Sequence, residues 1–319
     1  MTLPILRADA LSPEAVDLAL ACWGGFLLDT RDSDLPWQPA LESAYSLFAS
    51  ARDAKLPLAI ERSPHFRGWS EMHNERDWRE QLHLGRDRPT AGASPPFLRL
   101  EGPNLWPGEP AWRAAVSAYM DRAAALGEAI LRQVADALHL TGGPFDGVSR
   151  DGYLVMKMIG YHPQRDASAR PGVAAHVDFS WLTLTLQDSR GLSVRAANGG
   201  WTVVEPQPGA LWVHAGELLQ FATGGRYQAM PHRVLNQSTE RTRVSIPLFL
   251  NPPLTSLVPV FPGRPSPGAV ATEPNESTEH VHRVMAPGEP GAPFHFGEAE
   301  WRRKGLSGWC AICSPSVDA

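Results

Sequence analysis

The stretch His176-Val177-Asp178-Phe179-Ser180-Trp181-Leu182-Thr183-Leu184-Thr185-Leu186-Gln187-Asp188 joins two possible metal ligands to a strand-like segment. Successive side chains of a strand point to opposite faces, so His176 and Asp178 can reach one ion from a strand end while Val177 packs away. The run of residues 182–187 is short and largely apolar, which predicts a buried β-strand. The stretch therefore predicts a β fold with a metal site at a strand end.

A third candidate ligand lies far downstream, in Met230-Pro231-His232. Two imidazoles and one carboxylate are the usual ligand set of non-haem Fe(II) oxygenases, where they occupy one face of an octahedron and leave the other positions open. The ordered set His176, Asp178 and His232 therefore predicts an Fe(II) centre that reacts with O2.

Arg243 and Ser245 repeat the alternating geometry on a second predicted strand, 244–250. An Arg inside a barrel is costly unless it meets an anion, and residues 242–250 contain no Asp or Glu. The planar guanidinium suits a carboxylate, and the Ser245 hydroxyl adds a donor. We therefore expect both residues to bind the distal carboxylate of 2-oxoglutarate, whose keto acid end would chelate the iron.

Several segments carry a family likeness beyond these single residues. In the catalytic core they are 176–188, Gly191-Leu192-Ser193-Val194-Arg195, Pro231-His232-Arg233-Val234-Leu235-Asn236 and Arg243-Val244-Ser245-Ile246-Pro247. In the N-terminal part they are Arg67-Gly68-Trp69, Asp77-Trp78-Arg79-Glu80 and Asn104-Leu105-Trp106-Pro107. Together they resemble the isopenicillin N synthase-like branch of the Fe(II)/2-oxoglutarate dioxygenases, over about residues 3 to 260.

The resemblance implies two further roles. Tyr161, in Gly160-Tyr161-His162-Pro163, falls where the family has a Tyr that hydrogen-bonds the distal carboxylate of 2-oxoglutarate. His214-Ala215-Gly216-Glu217 replaces an Asn-x-Gly-Asp segment of many relatives. His214 is therefore expected to take the place of a structural Asn and not to bind the metal.

The resemblance also implies the reaction. Oxidative decarboxylation of 2-oxoglutarate would give succinate and CO2 and oxidise a small-molecule substrate, by hydroxylation first and by desaturation or cyclisation as alternatives. Asp178 argues against halogenation, because halogenating relatives have a small residue at that position. Two alternatives remain open: a 2-oxoglutarate-independent isopenicillin N synthase-type oxidase, and a noncatalytic sensor of a small ligand on the same fold.

Composition fits a small-molecule enzyme. The 319 residues carry a net charge of -5, so nucleic acid and anionic membranes are poor partners. The N-terminus lacks a secretory signal, no stretch is as long as a membrane span, and three Cys form no disulfide framework. A cytoplasmic location is expected.

The pattern along the chain predicts an α+β fold with a double-stranded β-helix (jelly-roll, cupin-like) core flanked by N-terminal helices. Helices are predicted over 13–22, 39–55, 109–140 and 216–223. Strands are predicted over 153–161, 182–187, 192–195, 201–205, 210–214, 233–236 and 244–250. We expect one domain over 1–319, with a helix-rich N-terminal part (1–150), a jelly-roll core (151–260) and, over 261–319, a Pro- and Gly-rich segment followed by the C-terminal tail.

Pocket walls are expected from 67–83, from Phe179 and Trp181 beside the triad, and from the region around Trp301. In the tail, Cys310 and Cys313 are most simply two ordinary thiols. A zinc site completed by His280 and His282 is the alternative.

Overall fold

The structure is a computed structural model that describes residues 3–90, 92, 94–164, 171–195, 200–236, 240–262 and 292–305. The possible zinc ligands His280, His282, Cys310 and Cys313 lie outside the described residues, so that alternative stays untested.

Seven α-helices are found in the described ranges. They are α1 (Pro13–Trp23), α2 (Trp37–Ala49), α3 (Arg52–Lys55), α4 (Pro110–Ala137), α5 (Val148–Asp151), α6 (Glu217–Ala222) and α7 (Phe296–Arg303). Short 3-10 helices span Leu56–Leu58, Ile60–Arg62 and Pro96–Leu100. No helix in these ranges is long and apolar enough to cross a membrane.

Local signals set the ends of the first helix. The Ser12 hydroxyl accepts a hydrogen bond from the backbone N–H of Ala15 at 3.2 Å, Pro13 occupies the first turn, and Gly24 ends the helix at φ 69°. The single helix predicted over 39–55 is wrong in one respect. The chain becomes extended at Ser50, which divides the segment into α2 and α3.

Fourteen strands occur in the same ranges. They are β1 (Ile5–Arg7), β2 (Gly25–Asp29), β3 (Gly68–His73), β4 (Trp78–Gly85), β5 (Val155–Tyr161), β6 (Pro171–His176), β7 (Leu182–Gln187), β8 (Leu192–Arg195), β9 (Trp201–Val203), β10 (Ala210–Ala215), β11 (His232–Leu235), β12 (Arg243–Leu250), β13 (Leu257–Val258) and β14 (Phe294–His295). The large sheet has the order β1-β2-β10-β7-β12-β5-β4-β3, and the small sheet has the order β6-β11-β8-β9.

Strand β12 shows how the large sheet divides its two faces. Val244, Ile246 and Leu248 pack into the main hydrophobic core, whereas Ser245 and Phe249 line a cavity on the opposite face. Residues of β6 and β11 in the small sheet also line this cavity. This is the predicted double-stranded β-helix, with a pocket between its two sheets.

The long helix α4 supports the large sheet from outside. It packs against α1, α2, β7 and β12. Gly127 allows this approach, because a Cβ there would lie 2.5 Å from Cδ2 of Leu250. The helix therefore fixes the sheet that forms the cavity floor.

Candidate metal centre and cosubstrate pocket

The three predicted metal ligands come together at one end of the small sheet. His176 is the last residue of β6, Asp178 follows two residues later, and His232 begins β11 directly opposite His176 in the antiparallel register. Nε2 of His176 lies 3.5 Å from Oδ1 of Asp178, and Nε2 of His232 lies 3.7 Å from the same oxygen. The candidate ligand atoms all lie within 4.8 Å of one another. This spacing suits a single ion bound on one face.

Backbone carbonyls orient both imidazoles. Nδ1 of His176 donates to the carbonyl oxygen of Ala174 at 2.9 Å, and Nδ1 of His232 donates to that of Met230 at 3.0 Å. A proton on Nδ1 leaves Nε2 with a free lone pair, which is the usual arrangement for a metal-binding His. Each Nε2 therefore faces the space beside Asp178 as a ligand.

Asp178 is held in the charged form that a metal needs. Burial alone would raise its pKa, but the imidazoles of His232, His214 and His176 and a hydrogen bond from Thr183 hold the pKa well below its usual range. At neutral pH no proton competes with a cation for this carboxylate. The donor set of two imidazoles and one carboxylate therefore fits Fe(II).

The second oxygen of Asp178 has its own partners. The Thr183 hydroxyl on β7 donates to Oδ2 at 2.7 Å, and Nε2 of His214 on β10 lies 3.4 Å from Oδ2. His214 is fully buried, and burial lowers its pKa to about 4. His214 thus contacts the carboxylate from behind and lies outside the three-residue ligand cluster.

Arg243 is buried below the cavity and lacks an acidic partner among the described residues. Its Nε donates to the carbonyl oxygens of Ser189 and Arg190, and Nη2 donates to Oε1 of Gln187 at 3.0 Å. Its guanidinium lies over the ring of Tyr161, with Cζ 4.9 Å from the ring centroid. Nη1 is buried without a hydrogen-bond partner in the described part of the chain, so one donor is left for a ligand.

A cavity of about 370 Å³ connects the triad to this region. Tyr161 and Ser245 line it together with the three candidate ligands, whereas Arg243 lies behind Tyr161. Such a volume is at the lower end of the range for small-molecule sites. The cavity therefore contacts the three candidate metal ligands, Tyr161 and Ser245, and Arg243 lies beside it.

The expected pocket walls are found in part. Arg79, His83 and Phe179 line the cavity. Trp181 instead packs against Phe145 in the core, with ring centroids 5.4 Å apart. Glu300 and Arg303 of α7 line the cavity together with Lys304, which follows the helix. Trp301 packs into the core.

Two family models match the chain. The N-terminal model for non-haem dioxygenases of morphine synthesis matches residues 7–109, and the 2OG-Fe(II) oxygenase superfamily model matches residues 150–252. A 2-oxoglutarate-dependent dioxygenase of Gibberella zeae is 30% identical over 259 residues, which cover 70% of this chain and 67% of that protein. The chain belongs to the 2OG-Fe(II) oxygenase superfamily.

Other relatives of this oxygenase differ in their named substrates. A homoarginine-6-hydroxylase of Arabidopsis thaliana is 30% identical over 217 residues, which are 65% of this chain and 60% of that protein. A full-length Neurospora crassa protein, solved in complex with alpha-KG, has a TM-score of 0.72 at 19% identity and covers 95% of both chains. The rice dioxygenase for auxin oxidation has a TM-score of 0.68 at 24% identity and covers 96% of this chain and 95% of that one. These structures share the fold.

Some site residues of this oxygenase carry little signal in the sequence. Thr183 resembles an ordinary strand residue, and its contact with Asp178 follows from the fold alone. Lys157 lies within the strand predicted over 153–161 and lines the cavity. A charged residue within an otherwise apolar strand is a feature by which the sequence could have indicated a site residue. Both residues face the cavity because they alternate with buried apolar neighbours.

Proposed function

We propose that this chain is an Fe(II)- and 2-oxoglutarate-dependent oxygenase that oxidises a small organic molecule, most simply by hydroxylation. The single observation that carries the proposal is the buried Arg243, with a free Nη1 donor and no acidic partner among the described residues, beside a cavity that also holds the triad. Carbonyl and amide oxygens already satisfy Nε and Nη2, so an anionic ligand would complete the hydrogen bonds of Nη1 and neutralise the buried charge. A dicarboxylic keto acid supplies that anion.

In this proposal, His176, Asp178 and His232 hold the iron, with Asp178 kept charged and both imidazoles oriented by backbone carbonyls. Arg243, Ser245 and Tyr161 bind the distal carboxylate of 2-oxoglutarate. When bound, iron and 2-oxoglutarate supply the oxidising power: with O2, a C–H group becomes C–OH, and succinate and CO2 are released. Apolar cavity walls such as Phe179 and Phe249 limit the access of water.

The described parts of the chain also support one domain. Residues from α1, α4, the large sheet and α7 contribute to the same hydrophobic core. We therefore propose that the helix-rich part and the jelly roll work as a unit on a small-molecule substrate.

Succinate formation tests the function directly. The purified protein with Fe(II), O2, 2-oxoglutarate and ascorbate, which supplies the remaining two electrons when no substrate is present, is expected to release succinate and CO2 in equal amounts, and a chelator should stop the release. Oxygen uptake that requires an added organic substrate and yields no succinate would favour an isopenicillin N synthase-type oxidase and contradict the proposal. Binding of 2-oxoglutarate with neither product would point to a sensor.

Replacing Arg243 with Met should raise the KM for 2-oxoglutarate. A charge-assisted hydrogen bond in a buried site contributes about 1.5–3 kcal/mol, so the rise should be about 10- to 100-fold. Steady-state succinate assays across 2-oxoglutarate concentrations measure it. Arg190→Met is the matched control, because Arg190 is 69% exposed and pairs with Glu205 at the surface. An unchanged KM in the Arg243 variant would remove its assigned role.

A further inference from the structure

A second cationic position lies in the cavity, away from the cosubstrate region. Lys157 on β5 stands directly opposite His83 on β4 in the antiparallel register, and both line the cavity. Because side chains directly opposite each other share a face, the ammonium group and the imidazole project into the same space. They form a pair of nitrogen donors that the triad does not use.

Lys157 differs from the other cations of the cavity. Arg303 and Lys304 both pair with Glu300, at 2.7 Å and 3.3 Å, and Arg79 lies 3.3 Å from Asp77. Lys157 has no hydrogen bond or ion pair with any described residue.

Nζ of Lys157 lies over the aromatic ring of Phe249, 5.3 Å from the ring centroid. Lys157 is only partly exposed, so its charge is less hydrated than that of a surface lysine and gains from an anion that joins it in the cavity.

His83, which stands opposite Lys157, also has a side-chain nitrogen without a described partner. Nε2 of His83 is buried and makes no hydrogen bond within the described ranges. Burial in the cavity wall and nearby cations lower the pKa of Lys157 to about 7, and burial followed by the charge of Lys157 lowers the pKa of His83 well below its ordinary value. A bound anion would stabilise the charged ammonium and accept a hydrogen bond from the imidazole.

Lys157 lies too far from Arg243 to share its ligand. Arg243 pairs across the sheet with Tyr161, and Lys157 stands four residues before Tyr161 on the same strand. At about 3.4 Å per residue, this separation along the backbone is about 14 Å. Lys157 is therefore placed to meet an anion other than the distal carboxylate of 2-oxoglutarate.

The strand register also places Lys157 relative to the triad. Thr183, which donates to Asp178, is opposite Phe249 on β12, and Phe249 is opposite Val155 on β5. Two strand spacings, about 10 Å, therefore separate the backbone next to the triad from the strand that carries Lys157. A small molecule can span this distance with one end at Lys157 and the other beside the triad.

We propose that Lys157 and His83 bind the carboxylate of the substrate, so that this oxygenase acts on a small organic acid. The inference rests on the proposed function and adds the substrate class to it. Val155, Pro247 and Phe249 line the same part of the cavity, so the acid carries an apolar chain or ring. The oxidised carbon lies several bonds from the carboxylate, since the substrate spans from Lys157 to the triad.

Direct binding tests the substrate class without knowledge of the natural substrate. The full-length protein loaded with Fe(II) and 2-oxoglutarate is titrated without O2, by calorimetry, with phenylacetate, 3-phenylpropionate and 4-phenylbutyrate. Each acid is compared with its primary amide, which has the same shape and no charge. At least one acid is expected to bind about 10- to 100-fold more tightly than its amide, the effect of one charge-assisted contact.

Variants of Lys157 test whether this residue causes the preference for the acid over its amide. Lys157→Met should bind the acid and its amide equally, and Lys157→Arg should restore part of the preference. Lys304→Met is the matched control, because it removes a cavity lysine that Glu300 already pairs while Arg303 remains beside Glu300. The control should keep the preference for the acid.

Three results would overturn the inference. They are equal binding of acid and amide by the wild-type protein, no binding of any acid at millimolar concentration, and a preference that survives in Lys157→Met. The proposed function has its own separate readout. If the wild-type protein forms succinate but shows no preference for acids, only the substrate class is wrong.

Discussion

Replacing Asp178 with Ala should abolish Fe(II) binding and turnover together. Asp178 supplies the one carboxylate of the described ligand cluster, and it is held in its charged form by its surroundings. Loss of a group that only supports a metal ligand costs about 10- to 100-fold in metal affinity, so loss of the ligand itself should cost at least about 100-fold. Metal content after anaerobic dialysis and succinate release are the two measurements.

An aspartate elsewhere on the surface provides the control for that experiment. Asp151 is half exposed and pairs with Arg150 beside it, so Asp151→Ala should retain both iron and turnover. Circular dichroism should show that both variants are folded, since the Asp178 change removes a buried charge and leaves the core intact. An Asp178→Ala variant that binds Fe(II) like the wild-type protein would refute the ligand assignment.

Replacing Glu80 with Ala should destabilise the protein by about 3–5 kcal/mol, the usual cost of leaving a buried ion-pair partner alone. Glu80 lies on β4 with 3% of its side chain exposed. Its carboxylate accepts hydrogen bonds from Nζ of Lys55 at 2.6 Å, from Nε1 of Trp69 at 2.6 Å and from Nε2 of His162 at 2.5 Å. These contacts join α3, β3 and the end of β5 to one strand. Urea unfolding measures the loss.

Glu71 is a close control for Glu80. It stands directly opposite Glu80 on β3 but pairs with Arg52, which is 62% exposed. An exposed pair contributes about 0–1 kcal/mol, so Glu71→Ala should change the free energy of unfolding little. Equal losses in the two variants would show that the buried network adds nothing beyond a surface contact.

The Glu80 carboxylate also makes the stability of the folded protein depend on pH in the acid range. Burial alone would raise the pKa of Glu80, but hydrogen bonds from His162, Lys55 and Trp69 outweigh burial and lower the pKa below its ordinary 4.5. A lowered carboxyl pKa stabilises the folded state above pH 4.5, and this stabilisation is lost as the pH falls towards the lowered value. Glu80→Gln should therefore weaken the dependence of stability on pH within that acid window.

Much of the site is predictable from the sequence because its geometry is set by residues that are close together in the chain. The spacing of His176 and Asp178 follows from strand geometry over three residues, and Ser12 and Gly24 mark the ends of α1 by rules that act within one turn. The alternation from Arg243 to Leu250 likewise predicts which face turns inward. These features need no knowledge of distant partners.

The missed elements depend on distant partners. Strand β4 carries Arg79, Glu80, Gln81 and His83, a polar run that does not look like a buried strand. It is buried because Lys55 and His162, from other parts of the chain, pair with Glu80. Strand β6 has the sequence Pro-Gly-Val-Ala-Ala-His, which has little intrinsic strand preference, but pairing with β11 stabilises it. Tertiary contacts decide both cases.

The two ends of the ligand triad differ in their access to solvent. The His176 side chain is 41% exposed, whereas Asp178 and His232 are 5% and 10% exposed. His176 is therefore the candidate ligand most exposed to solvent, and water or a small chelator reaches the ligand cluster most directly beside its imidazole. Bulky substitutions at exposed positions beside His176 are therefore expected to slow both the entry of the metal and its removal by a chelator.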